Sequence, residues 1–380
     1  MNFDYEIAVI GGGPAGTSAA INLAENGLNV SLFEKKKFPR ETICGEFLSK
    51  EVIENLESLN LVEKFYSLKP NPINSFRFIN SSGEEIFTKL DFRAYSLKRS
   101  TFDEFLLNQA MNKGVNVFIP AEVVKINNLK TGYKIEFNLI NERKNILVKN
   151  VIAAYGKQNI LDKKLNRNFV NKKSGLTGIK FHIDEKYFNN LNKNEIRIYA
   201  GKNIYCGINA VNDKLVTLCF LEDRTNYNKP SKSHLADLFS ENNKFRNLFK
   251  VDPLMVIRNS SIYGTGNIYF GKKNIIEDGI YMIGDSSGLI APLSGDGIGM
   301  AFESAKIVTK ILFEESKYKI DRTESQKRYI TEFKILFKKR LFIAKMMQKV
   351  ILRNYLRNAG FSIVKLIPNS LNYFIETTRT

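Results

Sequence analysis

Cysteine is scarce in this 380-residue chain: three residues, with no Cys-x-x-Cys pair among them. They can build neither a disulfide framework nor a zinc site, so a reducing, cytoplasmic setting is expected. Histidine is scarcer still, at two residues. With no His/Cys cluster, no metal site is expected. No apolar run approaches the roughly 18–20 residues of a membrane-spanning helix. An apolar strand is expected directly behind Asp4 and Glu6, so no secretory leader is expected. Internal repeats are absent. Acidic residues are in deficit, 39 against 57 Lys and Arg, for a formal charge of +18. Residues 306–380 carry 17 basic and 6 acidic side chains, a net +11. A lysine-rich surface drift would spread more evenly, so this concentration suggests an anionic partner surface. No recognised nucleic-acid motif accompanies it, so nucleic acid is not expected.

Against these absences stands Ile7-Ala8-Val9-Ile10-Gly11-Gly12-Gly13-Pro14-Ala15-Gly16. Four consecutive apolar residues read as a buried parallel strand. Gly11, Gly13 and Gly16 have the spacing G-x-G-x-x-G: one for a tight turn, one for close approach of a pyrophosphate, one for helix–strand packing. The helix expected from Pro14 to Asn26 aims its N–H groups and positive dipole end at that phosphate. Pro14 fits the first turn, where its missing N–H costs nothing, and Gly27 is a stop signal. Leu28–Phe33 reads as the next strand. It ends at Glu34, 18 residues past Gly16, about where a carboxylate meets a ribose 2′-hydroxyl. That negative charge argues against a 2′-phosphate. The pattern predicts dinucleotide binding.

The chain can hold two domains, or one large domain with an inserted piece. A long polar connection, Lys35–Ser49, follows the ribose strand and can reach over a bound dinucleotide. A helix is expected over Lys50–Leu61, short strands over Pro70–Leu97, and a helix over Arg99–Asn112. A strand at Val115–Ile119, a hairpin around Thr131-Gly132 and a strand from Val148 to Tyr155 follow. From about Gly175 to Phe270, strands succeed one another without intervening helices, apart from one amphipathic helix between Ser231 and Leu248. That pattern predicts an antiparallel sheet. The expected division is 1–70, 98–172 and 275–315 for the nucleotide domain, 71–97 and 173–274 for an inserted substrate domain, and 316–380 for basic amphipathic C-terminal helices. The fold class is α/β, Rossmann-like, with an inserted antiparallel-sheet domain.

A second chemical stretch runs from Gly279 to Ala301. An apolar strand ends at Gly284-Asp285, and a glycine- and proline-bearing loop leads into a helix near Gly297. A carboxylate at a strand end can accept hydrogen bonds from a chain of hydroxyls. A glycine-preceded helix N-terminus can hold an electron-rich ring edge.

The N-terminal glycines, Glu34, Gly284-Asp285, Pro292 and Gly295-x-Gly297-x-Gly299 together resemble the FAD-dependent oxidoreductases of the p-hydroxybenzoate hydroxylase fold. That group includes class A flavoprotein monooxygenases and geranylgeranyl reductases, and the resemblance spans about residues 5–315. It implies that Gly11, Gly13 and Gly16, with Pro14 and Ala15, bind the FAD pyrophosphate. It also implies that Glu34 binds the adenosine ribose and Asp285 the ribityl chain, and that Gly297 and Ile298 flank the flavin N1–C2 edge, where the helix dipole stabilises reduced flavin. Arg99, in Arg-x-x-Phe-Asp, matches a position that often contacts FAD; its other reading is a helix-end surface charge. The monooxygenase branch carries Asp-Gly where this chain has Tyr155-Gly156. Ile43-Cys44-Gly45-Glu46 instead resembles the Cys-Gly segment of the reductase branch, which lies near the flavin. The resemblance therefore implies an FAD enzyme that takes hydride from NADPH or NADH and reduces a carbon–carbon double bond of a lipophilic isoprenoid or polyene. The alternatives are hydroxylation through a flavin hydroperoxide and a non-catalytic prenyl carrier.

Proton-donor candidates are Cys44, Tyr155 and His182. Cys44 reads equally as a small buried residue beside a glycine turn, and His182 as a hydrogen-bonded sheet residue, with Lys180 similar. Glu46 is a further candidate contact to FAD or substrate. His234 is expected exposed at a polar helix start, and Cys206 and Cys219 in the core. In the tail, Lys334, Lys338, Lys345, Lys349 and Arg353 share a stripe about 100° wide at helical spacing. Apolar residues fill much of the remainder. That helix either covers the protein's own core or rests on anionic lipid, peripherally on the inner face of a membrane.

Overall fold

The computed structural model describes residues 2–226, 230–366 and 375–376. β1 (Tyr5–Ile10) turns at Gly11 into α1 (Pro14–Glu25), which is followed by β2 (Val30–Phe33) and the two-residue β3 (Phe47–Leu48). α2 (Lys50–Ser58), α3 (Val62–Tyr66), the hairpin β4 (Asn71–Ile79) and β5 (Glu85–Ser96), and α4 (Arg99–Asn112) come next. Then follow β6 (Asn116–Phe118), β7 (Ala121–Asn128), β8 (Tyr133–Leu139), β9 (Glu142–Ala153) and α5 (Ile160–Lys164). β10 (Leu176–Asp184), β11 (Glu195–Gly201), β12 (Ile204–Ala210) and β13 (Leu215–Asp223) are consecutive strands. The chain continues through α6 (Ser231–Glu241), α7 (Asn243–Arg246), α8 (Pro253–Arg258), β14 (Ile262–Thr265), β15 (Ile276–Glu277) and β16 (Ile280–Met282). It closes with α9 (Gly297–Tyr318), α10 (Arg322–Leu352) and α11 (Asn354–Leu366).

The first sheet has the order β15-β16-β9-β1-β2-β6, with β7 and β8 attached to β9. β16, β9, β1, β2 and β6 pair in parallel, so the turn after β1 lies among the central strands. Their apolar runs are buried on both sides. Val9, Leu32 and Ile152 share a core with the apolar faces of α1, α2, α4 and α9. Ala8, Ile10 and Phe33 face a second core under the β7–β8 hairpin.

The second sheet, β14-β10-β13-β12-β11-β4-β5-β3, is antiparallel except where β4 and β11 run parallel. α6 and α8 cover one face of it, burying Leu235, Leu238, Phe239, Val256 and Ile257. The single helix expected between Ser231 and Leu248 is broken. The Asn242 side chain accepts from Phe245 N–H (3.1 Å) and donates to Asn80 O (2.9 Å), so it caps a new turn instead of continuing the old one. His234 is corrected from exposed to buried: Nδ1 meets Glu222 Oε2 at 3.1 Å and Nε2 meets Lys202 O at 2.8 Å.

Asp321 caps α10 by accepting from Thr323 N–H. α10 does cover core: Phe333, Phe337 and Ala344 join the first cluster, while its lysines remain exposed. The part of the expected C-terminal region at 367–374 and 377–380 lies outside the described residues. Among the described residues no helix is long and apolar enough to cross a membrane.

Candidate active site

A cavity of about 1320 Å³ is lined by residues of both sheets, the loops between them, α10 and α11. At one end stands the turn after β1. Gly11 has φ +113°, and a Cβ there would meet Ala154 O at 2.4 Å. A Cβ at Gly16 would lie 1.8 Å from Gly11 O, so this glycine holds α1 against the strand and does not line the cavity. Gly13 does line it. A Cβ there would project toward Arg40 Nη2, 3.6 Å away, into space between the α1 N-terminus and a guanidinium. Arg40 is ion-paired to Glu34 (3.6 Å) and Asp103 (3.4 Å), and its buried Nε has no hydrogen-bond partner among the described residues. An N-terminal helix end with a glycine and a guanidinium over it suits a pyrophosphate. Glu34 accepts from Gly12 N–H (2.9 Å) and Lys36 N–H (2.8 Å), which fixes its carboxylate at the cavity wall.

The second stretch closes the cavity. Gly284 (φ +58°) and the half-buried Asp285 stand at the end of β16, and both line the cavity. Lys273 Nζ donates to the backbone oxygens of Asp285 and Lys157, both at 2.9 Å. Burial, with help from the Arg167 and Lys157 charges and against that of Asp285, brings its amine down to about 8. Pro292, Gly295, Gly297 and Ile298 line the wall where α9 begins, so the N-terminal end of a 22-residue helix stands at the cavity. Gly299 does not line it: a Cβ there would meet Asp296 Oδ1 at 2.2 Å, so this glycine serves packing. Behind that turn, Asp296 is fully buried and takes hydrogen bonds from Ser49 Oγ (3.1 Å) and the Arg340 guanidinium of α10.

Between these ends the loop after β2 carries Cys44 and Gly45 along the cavity. Cys44 Sγ accepts from Glu46 N–H at 3.3 Å. Glu46 has φ +60°, a strained conformation for a residue with a side chain, and its carboxylate turns inward to full burial. There it accepts from Arg99 N–H (2.9 Å), Lys180 Nζ (3.0 Å) and Thr217 Oγ1, and lies 2.7 Å from His182 Nε2. Burial alone would oppose the Glu46 charge. The His182 hydrogen bond, the Lys180 charge and the Thr217 hydroxyl outweigh it and hold the carboxyl at about 2. Lys180, itself without solvent exposure, also donates to Glu41 Oε2 at 2.9 Å, and Glu41 lines the cavity. Burial opposes the ammonium too, but Glu46 and Glu41 push its pKa up. Glu41, Glu46 and His182 converge within 4.8 Å, as metal ligands would. The Lys180 ammonium already supplies the cation between the two carboxylates.

Of the proton-donor candidates, Cys44 and Tyr155 line the cavity and His182 does not. Tyr155 OH donates to Asp162 Oδ1 (2.9 Å); burial, then Asp162, pushes its phenol up, making it a weaker acid. Arg99 lines the cavity with both guanidinium arms on Asp103, at 2.8 and 3.0 Å. Cys206 is buried as expected. Cys219, expected in the core, is part of the cavity wall, with its thiol pushed up to about 12, chiefly by burial.

Sequence reasoning missed Arg40, whose signal was a basic residue in the loop after the ribose strand. It also missed the Lys180–Glu46 pair, for which no local signal exists. Asn209 was missed as well; it is buried, lines the cavity, and leaves Nδ2 without a partner among the described residues.

Beyond the cofactor end, the walls are apolar: Phe76 and Phe78 from β4, Ile196 and Ile198 from β11, Leu221, and Phe342, Met346 and Ile351 from α10. The volume exceeds the roughly 300–1,000 Å³ typical of a single-ligand pocket, so there is room for a dinucleotide and a second molecule.

The FAD binding domain family matches residues 4–317. A digeranylgeranylglycerophospholipid reductase of Methanococcus vannielii is 24% identical over 383 aligned residues, covering 97% of this chain and 91% of the relative. A 1H-pyrrole-2-carbonyl-(peptidyl-carrier protein) chlorinase of Pseudomonas fluorescens is 24% identical over 357 residues, covering 83% and 77%. The crystal structure of a geranylgeranyl bacteriochlorophyll reductase-like protein from Thermoplasma acidophilum superposes with a TM-score of 0.79 at 19% identity, covering 98% of this chain and 95% of that one. The glycine turn, the arginine above it and the glycine-led helix fit a flavin dinucleotide, and the chain belongs to the FAD binding domain family, flavoprotein oxidoreductases on the p-hydroxybenzoate hydroxylase fold, with FAD as cofactor.

Proposed function

We propose that this flavoprotein reduces a carbon–carbon double bond of a long lipophilic substrate, of the isoprenoid or polyene class, with NADPH or NADH as electron donor. The observation that carries the reading is the continuity of the cavity. Its glycine-lined end passes without a wall into a lobe of Phe76, Phe78, Ile196, Ile198 and Leu221, which suits a flexible hydrocarbon better than a small polar ring. The whole-chain likeness to digeranylgeranylglycerophospholipid reductases supports it.

FAD, when bound, supplies hydride transfer. The chain's own residues do the rest. Gly13, Pro14 and Ala15 with Arg40 take the pyrophosphate, and Glu34 the ribose. Asp285 takes the ribityl hydroxyls, and the backbone at Gly297 and Ile298 the ring edge, where the α9 dipole favours added negative charge. Reduction also needs a proton at the second carbon. Cys44 is the assigned donor, because it lines the cavity beside Gly45. The Glu46 N–H donates to its sulfur and the Arg99 side chain lies beside it. His182 acts through Glu46 and not at the substrate. The apolar lobe excludes water from the reacting carbons.

A second reading, halogen or oxygen insertion, is favoured by the chlorinase relative. Product mass separates the two. Anaerobic addition of NADPH or NADH to the purified protein should bleach the flavin bands, and an isoprenoid substrate should gain two hydrogens. A gain of one oxygen or one halogen would replace the reductase reading. A protein that takes up no FAD would overturn both and leave a lipophilic carrier.

A further inference from the structure

The outer face of α10 carries an arrangement that core packing does not use. Ile335, Phe342 and Met346 are 79%, 66% and 47% exposed. At helical spacing they point within about 40° of one another, a continuous apolar stripe exposed to solvent. Exposed Lys338, Lys345 and Lys349 run along one flank and Lys339 along the other. No acidic residue stands between Glu332 and Glu376, so nothing on α10 beyond Glu332 or on α11 offsets these charges. Phe342 and Met346 also belong to the cavity wall, and exposed Ile363 of α11 lines the same opening. The Phe342–Met346 end of the stripe therefore stands at the rim of the cavity's apolar lobe, and Ile335 lies beyond it. Arg357 holds that rim together: it donates to Gly201 O (2.7 Å), Ile351 O (2.9 Å) and Ser81 Oγ (2.9 Å), tying α11 to the second sheet.

We infer that this face docks on an anionic phospholipid bilayer, with Ile335, Phe342 and Met346 seated among the acyl chains and the flanking lysines at the phosphates, so that the cavity opens directly into the lipid. An apolar stripe bordered by lysines is the pattern of an interfacial helix. Lysine stems can lie along the acyl boundary while their ammonium groups stay at the headgroups. A nucleic acid would gain from the lysines but not from three exposed apolar side chains. The inference rests on the lipophilic-substrate reading for its purpose, though not for its test.

The test is sedimentation of the FAD-loaded full chain with vesicles of phosphatidylcholine, with and without phosphatidylglycerol. Binding should require phosphatidylglycerol and weaken with salt. Each lysine near an anionic surface contributes about fivefold, so K338Q/K345Q/K349Q should bind on the order of a hundredfold more weakly. Ile335→Ser should weaken binding at every salt concentration. All four side chains are exposed, so flavin absorbance and melting temperature should stay at wild-type values, and these verify folding. Failure of the wild type to sediment with phosphatidylglycerol vesicles at low salt would overturn the docking, as would equal binding by the triple variant. Retention on RNA without retention on vesicles would overturn it in favour of nucleic acid. Reduction of a detergent-dispersed substrate, measured separately, isolates the functional reading: vesicle binding with no reduction sinks that reading alone, and reduction with no vesicle binding sinks the docking alone.

Discussion

Glu46→Gln removes one negative charge from a site that solvent does not reach and keeps the side chain's volume. In the wild type, the carboxylate answers the Lys180 ammonium, which has no solvent exposure either. Its carboxyl sits at about 2 against an ordinary value of 4.5. At about 1.4 kcal/mol per pKa unit, that difference corresponds to about 3 kcal/mol of folding stability at neutral pH. Breaking a buried ion pair from one side costs about 3–5 kcal/mol, so a separate argument gives the same magnitude. Glutamine should therefore lower the urea unfolding free energy by about 3 kcal/mol at pH 7. The pH dependence carries a second signature. A depressed carboxyl stabilises fully above its unfolded value and loses that contribution as pH falls through its folded value. The gap between variant and wild type should thus be constant above about pH 5 and shrink steadily toward pH 2. A loss under about 1 kcal/mol, or a gap that does not narrow in acid, would refute the claim that Glu46 is ionised and paired with Lys180.

The cofactor end gives sharper local predictions. Asp285→Ala should raise the dissociation constant for FAD about 10- to 100-fold, read by recovery of flavin fluorescence, because a charged acceptor of hydroxyl groups is lost. Gly16→Ala should cost at least about 1–3 kcal/mol in thermal unfolding, since its Cβ would fall 1.8 Å from Gly11 O and α1 must move off the strand. Lys273, held at about 8 against an ordinary 10.5, releases its proton in the folded chain before the unfolded one. Stability should therefore rise with pH between about 8 and 10.5, and Lys273→Met should flatten that rise in denaturant titrations across the range.

Much of the cofactor end was legible from sequence because its chemistry is local. The turn after β1 needs Gly11 and Gly16 for reasons visible within six residues, and Glu34 lies one strand away. Asp285 and Gly297 sit in one continuous stretch. The polar centre was not legible. Glu46 and Lys180 are 134 residues apart, and only the packing of the second sheet against the loop after β2 brings them together. The same holds for His234, whose polar sequence neighbours suggested exposure while Glu222, on a strand 12 residues earlier, supplied a buried partner. The parallel pairing of β4 with β11 across 120 residues is likewise outside any local pattern. The tail illustrates a third case: its periodicity fitted both a core-covering helix and a surface-binding one, and α10 buries one face in the core while leaving Ile335, Phe342 and Met346 exposed on the other.

Arg340 ties the buried face of α10 to the start of α9. It lies on the buried side of the helix, opposite the exposed stripe, and its guanidinium reaches the fully buried Asp296 at the N-terminal end of α9. Asp296 in turn holds Ser49 Oγ, so one carboxylate fastens the tail helix, the start of α9 and the start of α2. Arg340→Met keeps the aliphatic stem but leaves Asp296 charged in a site without solvent. The expected cost is about 3–5 kcal/mol in unfolding free energy. If the pair only stabilised the fold, FAD affinity would be unchanged in the population that remains folded. If it also sets the position of α9, the helix end at Gly297 and Ile298 loosens, and the FAD dissociation constant should rise together with the loss of stability. Measuring both on the same variant, with Arg340→Lys as the charge-retaining control, separates the outcomes. Lysine that restores stability but not FAD affinity would place the requirement on the guanidinium's shape and reach, not on its charge alone. Unchanged FAD affinity in Arg340→Met would remove α9 positioning from the role of the tail.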